Sequence, residues 1–226
     1  MVIVNIYHKS TTLTTYSLMY GRILRMNSDR LPSIDDDRIA FQQILVEDQS
    51  VYSIQTVVIP GSKAADLTTE RLLQLYIDYI QRFTFGLLRV TKSVAGVEFR
   101  LNGSDIAIIN FAPPTLERDG DREKTTLRIC GGFLVQPQEC DKGQLDFIIE
   151  PVDYGRRVTL RLADFCPLIL GSRQPSIWRK WLYRFTQAYL HKVVTIRFLA
   201  MVYRKITGEH VANGAVRIEV RKGSNI

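Results

Sequence analysis

The sequence predicts an α+β protein in which a large antiparallel β-sheet packs against one long C-terminal helix. Three observations carry that expectation. Residues 176–207 hold no helix breaker, and Trp178, Leu182, Phe185, Tyr189, Val193, Ile196, Ala200 and Tyr203 recur every three or four positions, the spacing of one helical face. Before it, Val97, Phe99 and Leu101 alternate with Glu98 and Arg100, and Val158, Leu160 and Leu162 alternate with Thr159 and Arg161, the period of half-buried strands. Turn signals at Asn102-Gly103 and Asp153-Tyr154-Gly155 join such runs as hairpins, which makes neighbouring strands antiparallel.

In chain order, residues 2–7, 14–26, 39–46 and 51–59 are rich in β-branched and aromatic side chains and read as strands, with a short helix as the alternative for 16–26. Residues 28–37, with Pro32 and Asp35-Asp36-Asp37, read as a loop. A helix follows, capped by Asp66 or Thr68, with Glu70 in its first turn and Leu72, Tyr76, Tyr79/Ile80 and Phe83 on its apolar face, ending between Phe83 and Gly86. Residues 97–101 and 106–111 form a hairpin, and 113–124 read as a charged loop. Residues 125–135 give a strand with a bulge or bend at Gly131-Gly132. Leu145, Phe147 and Ile149 place 145–149 in a further strand, although Ile148 spoils its alternation. The meander thus has one dry face, and the long helix, a rod of roughly 45 Å at 1.5 Å per residue, is its cover. A last strand at 215–220 pairs at an edge. With no repeat or linker, residues 1–226 read as a single domain, 1–60 being a β-rich section and 61–226 the helix, meander, long helix and final strand.

The order of a helix, a meander and a long C-terminal helix, with Leu160-Arg161-Leu162-Ala163-Asp164-Phe165 leading toward Trp181-Leu182-Tyr183-Arg184-Phe185 and Tyr189, resembles the helix-grip fold of the START-like superfamily. That superfamily includes lipid-transfer, pathogenesis-related and polyketide-cyclase-like proteins. The resemblance spans about residues 67–207 and implies an apolar cavity between sheet and helix. The N-terminal β-rich section and the strand after the long helix are additions to that plan.

Composition sets the outer limits. Hydrophobic residues make up 46% and charged residues 23%, the balance of a globular protein. There is no apolar run long enough to cross a bilayer and no secretory start, so a cytoplasmic protein is expected. Cys130, Cys140 and Cys166 are odd in number and lack CxxC spacing, which favours reduced thiols. The net charge of +7 is spread over the chain. Its densest patch, Arg179, Lys180 and Arg184 beside Trp178, Trp181 and Tyr183, reads mainly as the wet flank of a core stripe.

No residue constellation carries a recognised chemistry. Gln187 and His191 share a helical face and could meet one ligand, but a solvated flank is the simpler reading. His8 and His210 have no partner motif, Asp35-Asp36-Asp37 lacks calcium-loop spacing, and Gly131-Gly132 precedes neither GKS/T nor a helix, so no metal or cofactor is expected. Asp146, Glu150 and Asp164 read as surface ion-pair partners of residues such as Arg128 and Arg161. The leading expectation is therefore a non-enzymatic binding protein for an apolar small molecule or lipid, its cavity lined by Phe99, Leu127, Phe147, Leu160, Phe185 and Tyr189. The alternative is a basic peripheral protein docking on an anionic membrane or acidic partner. Nucleic acid is disfavoured, because no binding motif accompanies the charge. A cyclase- or hydrolase-like enzyme is the second alternative; it requires polar groups such as Arg100 or Asp146 turned into the cavity, whereas their alternation points them outward.

Overall fold

A computed structural model describes residues 38–48, 50–136, 143–168, 188–211 and 215–226. The strands expected at 2–7 and 14–26, Asp35-Asp36-Asp37, Cys140, the basic-aromatic patch at 178–184 and the first part of the expected long helix lie outside these residues. The described elements are β1 (Ile39–Leu45), β2 (Val51–Pro60), α1 (Thr69–Phe83), β3 (Leu88–Ser93), β4 (Gly96–Leu101), β5 (Ala107–Phe111), β6 (Thr115–Asp119), β7 (Arg122–Gly131), β8 (Gln144–Val152), β9 (Gly155–Phe165), α2 (Tyr189–Thr207), β10 (Ala215–Arg217) and β11 (Ser224–Asn225).

One sheet runs in the order β10-β1-β2-β9-β8-β7-β5-β4-β3, with β11 also on β1 and β6 also on β7. Helix α2 packs on β1 and β2, and α1 packs on β3, β7 and β8 and against α2. This is a helix-grip arrangement of the α+β class. Every strand pair is antiparallel except β1 with β10, where Ile39 lies opposite Ala215 in parallel. The expected final strand is thus at the edge, but it is three residues long and adds a parallel rung to the otherwise antiparallel sheet.

Helix α1 begins where its capping residue predicts. The Thr68 hydroxyl accepts the Arg71 N–H at 3.2 Å, and a second cap comes from the sheet: the Glu123 carboxylate accepts the Thr69 N–H at 3.0 Å and the Thr69 hydroxyl at 2.5 Å. Leu72, Leu73, Tyr76, Ile77 and Ile80 form its buried face. The helix ends as Gly86, in the left-handed region at φ 76°, returns its N–H to Gln81 O at 2.8 Å. Its last turn is tied to β3, since the Thr84 hydroxyl accepts the Leu88 N–H at 3.2 Å and Gln81 Oε1 accepts the Val90 N–H at 3.3 Å.

Helix α2 corrects the phase of the expected stripe. Val194, Thr195, Phe198, Leu199 and Val202 are buried, with Tyr203 beside them, whereas Tyr189 is 60% exposed and Val193, Ile196 and Ala200 are half-buried. The helix is contacted by the sheet and by α1, so its buried arc is wide and centred about one residue earlier than the regular three-four series, where Ala188, Thr195, Leu199 and Val202 are buried. Phe198 sits at the junction, its ring 5.1 Å from that of Tyr76 and 5.6 Å from that of Tyr79 on α1.

Two further differences concern strands. Residues 113–124, expected as a loop, contain β6 and the start of β7. Along one side β7 pairs first with β6 and then with β5, and Pro113-Pro114, which lack amide donors, separate the two. The polarity that mimicked a loop marks a hairpin fully exposed on β6, laced by Lys124–Glu117 at 3.4 Å. Strand β3 went unrecognised because only Leu88 and Val90 are partly buried. The bend at Gly131-Gly132 is present, with φ of 151° and 123° and a register shift between β5 and β7.

The outer face of the sheet is not the wet face expected. Ile54, Val58 and Ile148 are 1%, 3% and 5% exposed, and the neighbouring Thr56, Thr159 and Asp146 are buried too. Ile148, the residue that broke the alternation, is one of these outer positions. Over β1 the chain at 218–223 is held by Gln42, whose amide donates to Arg221 O at 2.6 Å and accepts the N–H groups of Val220 and Arg221 at 2.9 Å.

Candidate ligand cavity

The inner face of the sheet does not fill completely. Between α1, the first turns of α2 and the β3–β5 end of the sheet lies a cavity of about 240 Å³. Helix α1 contributes Tyr76, Ile80 and Phe83, while α2 contributes Leu190, His191 and Val194. The sheet contributes Phe99 and Leu88 from the β3–β4 hairpin, Ile108, Ile109 and Phe111 from β5, and Leu145, Leu162 and Phe165 from β8 and β9. Leu190 at 55% exposed and the half-buried Phe83, Thr84 and Leu134 mark the side that opens to solvent.

The residues expected to line a cavity are distributed as follows. Phe99 is in the wall, edge-to-face with Phe111 at 5.5 Å between ring centroids. Leu127, Phe147 and Leu160 are on the same inner face, but each is at most 1% exposed and packs in the solid core. Phe147 and Leu160 lie opposite each other one rung beyond the Leu145–Leu162 pair that borders the cavity, and Tyr76 covers Phe147 at 5.4 Å. Tyr189 projects largely into solvent next to the two wall residues Leu190 and His191. Phe185 and Gln187 lie outside the described residues.

Three polar side chains interrupt this apolar wall among the described residues: Thr84, Tyr76 and His191. The Thr84 hydroxyl is committed locally, donating to Ile80 O at 2.8 Å while accepting from Leu88. The Tyr76 ring is fixed between Phe147 and Phe198, and burial raises its phenol above the ordinary range. The Nε2 atom of His191 is buried without a hydrogen-bond partner among the described residues, and burial lowers the imidazole from 6.5 to about 4. Both groups are therefore neutral near pH 7. His191 had been read as part of a solvated flank; what brings it inside is the corrected phase of α2.

Arg100 and Asp146, the polar groups named as examples for an enzyme on this scaffold, are not in the wall. Arg100 is paired with Glu98 at 3.0 Å and with Asp105 at 3.4 Å. Asp146 is buried on the outer face, held by Arg161 at 2.8 Å and by the Thr126 hydroxyl at 2.7 Å. The ion pair between Asp146 and Arg161 was anticipated, but its carboxylate is 0% exposed rather than on the surface. Glu150 pairs with Arg157 at 3.2 Å and with Arg122 at 3.6 Å. No helix among the described residues is long and apolar enough to cross a membrane.

No protein-family model matches the chain, and no curated protein does either. Solved structures similar to it include the Aha1 dimer from Colwellia psychrerythraea, at 13% identity and a TM-score of 0.38 over 71% of this chain and 97% of that one. Human STARD10 is similar at 10% identity and a TM-score of 0.41, over 80% and 78% of the two chains. CalU16 from Micromonospora echinospora is similar at 8% identity and a TM-score of 0.27, over 55% and 66%. At these scores the likeness adds nothing to the arrangement already evident in the strand order and the two helices.

Proposed function

We propose that this protein binds an apolar small molecule or a lipid chain in the cavity between the sheet and the two helices. One observation carries the reading: a cavity of about 240 Å³, open on one side, lies between sheet and helices, and its wall is almost wholly aliphatic and aromatic. For scale, a dry engineered cavity of about 150 Å³ accepts benzene. Unfilled space lined by such side chains forfeits dispersion contacts, and an apolar guest restores them.

Two measurements test this. Native mass spectrometry of the purified protein looks for a co-purifying apolar molecule. Titration with N-phenyl-1-naphthylamine, an uncharged fluorescent probe, looks for saturable uptake with a blue-shifted emission. Ile109→Trp, which adds bulk from a half-buried wall position, should abolish probe uptake while keeping a cooperative melt. Equal uptake by the variant, or no saturable uptake by the unmodified protein, sinks the reading.

A further inference from the structure

The chemistry of the wall goes beyond apolarity, and the following rests on the ligand-binding reading above. No Lys, Arg, Asp or Glu lines the cavity among the described residues. A carboxylate or ammonium group entering it would surrender its hydration without gaining a counter-charge, which disfavours it strongly. The wall nevertheless contains a nitrogen of His191 that is unpartnered among the described residues, and a buried polar atom left unpaired is destabilising. A core residue of similar shape, such as Phe or Leu, would avoid that cost. A half-turn of the imidazole exchanges Nε2 with Cε1 within the same volume, so the ring can present a nitrogen to an arriving partner. Among the remaining polar groups, Thr84 is already bonded on both sides, and the Tyr76 hydroxyl is not one of the buried partnerless atoms, of which His191 Nε2 is the one in this wall among the described residues.

We infer that the cavity selects an uncharged amphiphile, an apolar body bearing one neutral hydrogen-bonding group such as a hydroxyl or carbonyl, and that His191 receives that group. A neutral imidazole can either donate or accept, so both kinds of group fit. The body of the ligand lies among Ile80, Phe99, Ile109 and Phe111, and a hydrocarbon lacking the polar group binds more weakly.

The test uses three matched probes of one shape: naphthalene, 2-naphthol and 2-naphthoate, titrated at pH 7 by fluorescence or calorimetry. The unmodified protein should bind 2-naphthol about three- to tenfold more tightly than naphthalene, the range one neutral hydrogen bond supplies. It should bind 2-naphthoate more weakly than either. In His191→Phe the preference for 2-naphthol should vanish while naphthalene still binds, which also certifies the fold. His191→Gln, which keeps a donor and an acceptor, should restore part of it. If naphthalene binds but 2-naphthol and naphthoate bind equally well, or if Tyr76→Phe rather than His191→Phe erases the preference, the inference is overturned and the cavity reading stands. If none of the three binds, the cavity reading itself falls.

Discussion

At the scale of single residues, two groups do more than their position in the sequence announces. Glu123 is the last but one residue of the polar stretch 113–124, yet its carboxylate closes the N-terminus of α1 from the neighbouring sheet. Glu123→Ala should therefore cost about 1–2 kcal/mol and speed amide exchange in the first turn of α1. The exposed Glu117→Ala on the same hairpin should stay within about 0.5 kcal/mol. Equal effects of the two changes would show that the second cap contributes nothing. His191 gives a pH signature. Its folded value near 4 lies below the ordinary 6.5, so between those values the unfolded chain binds more protons than the folded one. Stability should be flat above pH 6.5 and fall on acidification toward pH 4, by about 2–3 kcal/mol from this group. Tyr76, the other titratable group of the wall, stays protonated throughout that range. Denaturant melts at pH 7, 5.5 and 4.5 should show this slope reduced in His191→Phe; parallel curves would place the acid sensitivity elsewhere.

At the scale of elements, legibility followed side-chain contrast. The capping candidates Asp66 and Thr68 and the apolar residues after them located α1 to within a few residues, and Thr68 is the cap. The phase of α2 was not legible, since Val193, Ile196 and Ala200 continue the three-four series while Val194, Phe198 and Leu199 offer a second apolar series beside it. Strands β3 and β6 were missed for the opposite reason: β6 is wholly exposed and β3 alternates only at Leu88 and Val90, so mainly the backbone ladder makes them strands. Gly131-Gly132 was legible as a bend, and its geometry makes a sharp prediction. A Cβ at Gly132, where φ is 123°, would sit 2.5 Å from Ile108 O and 2.6 Å from Ile109 Cα. At Gly103, where φ is 76°, it would meet nothing within 4 Å. Gly132→Ala should cost at least about 3 kcal/mol and disturb probe binding through Ile109, whereas Gly103→Ala should cost about 1–2 kcal/mol, the backbone preference alone. Thermal melts with probe titration separate the two cases, and a silent Gly132→Ala would contradict the packing at this bend.

At the scale of the whole molecule, alternation assigned Phe99, Leu127, Phe147 and Leu160 to the inner face of the sheet, where all four lie. Which rung borders open space depends on where α1 stops and α2 starts, and no local pattern encodes the distance between two helices. The same limit hid the burial of the outer face, announced only by Ile148. Phe198 joins α1, α2 and, through Tyr76, the sheet. Phe198→Ala should lower the unfolding free energy by about 3–5 kcal/mol with the denaturant slope unchanged; a changed slope would mean that the helices melt apart from the sheet. The ties between α1 and β3 bear on a different property, the company the protein keeps with copies of itself. Among the described residues β3 ends the strand order, and the N–H groups on an outermost strand ordinarily offer a template for a foreign strand. Here Thr84 and Gln81 already occupy the N–H groups of Leu88 and Val90, and Arg89 and Lys92 lie exposed along the same strand. The helix that walls the cavity thereby also caps this end of the sheet, so the rim beside the apolar opening is a poor template for a foreign strand.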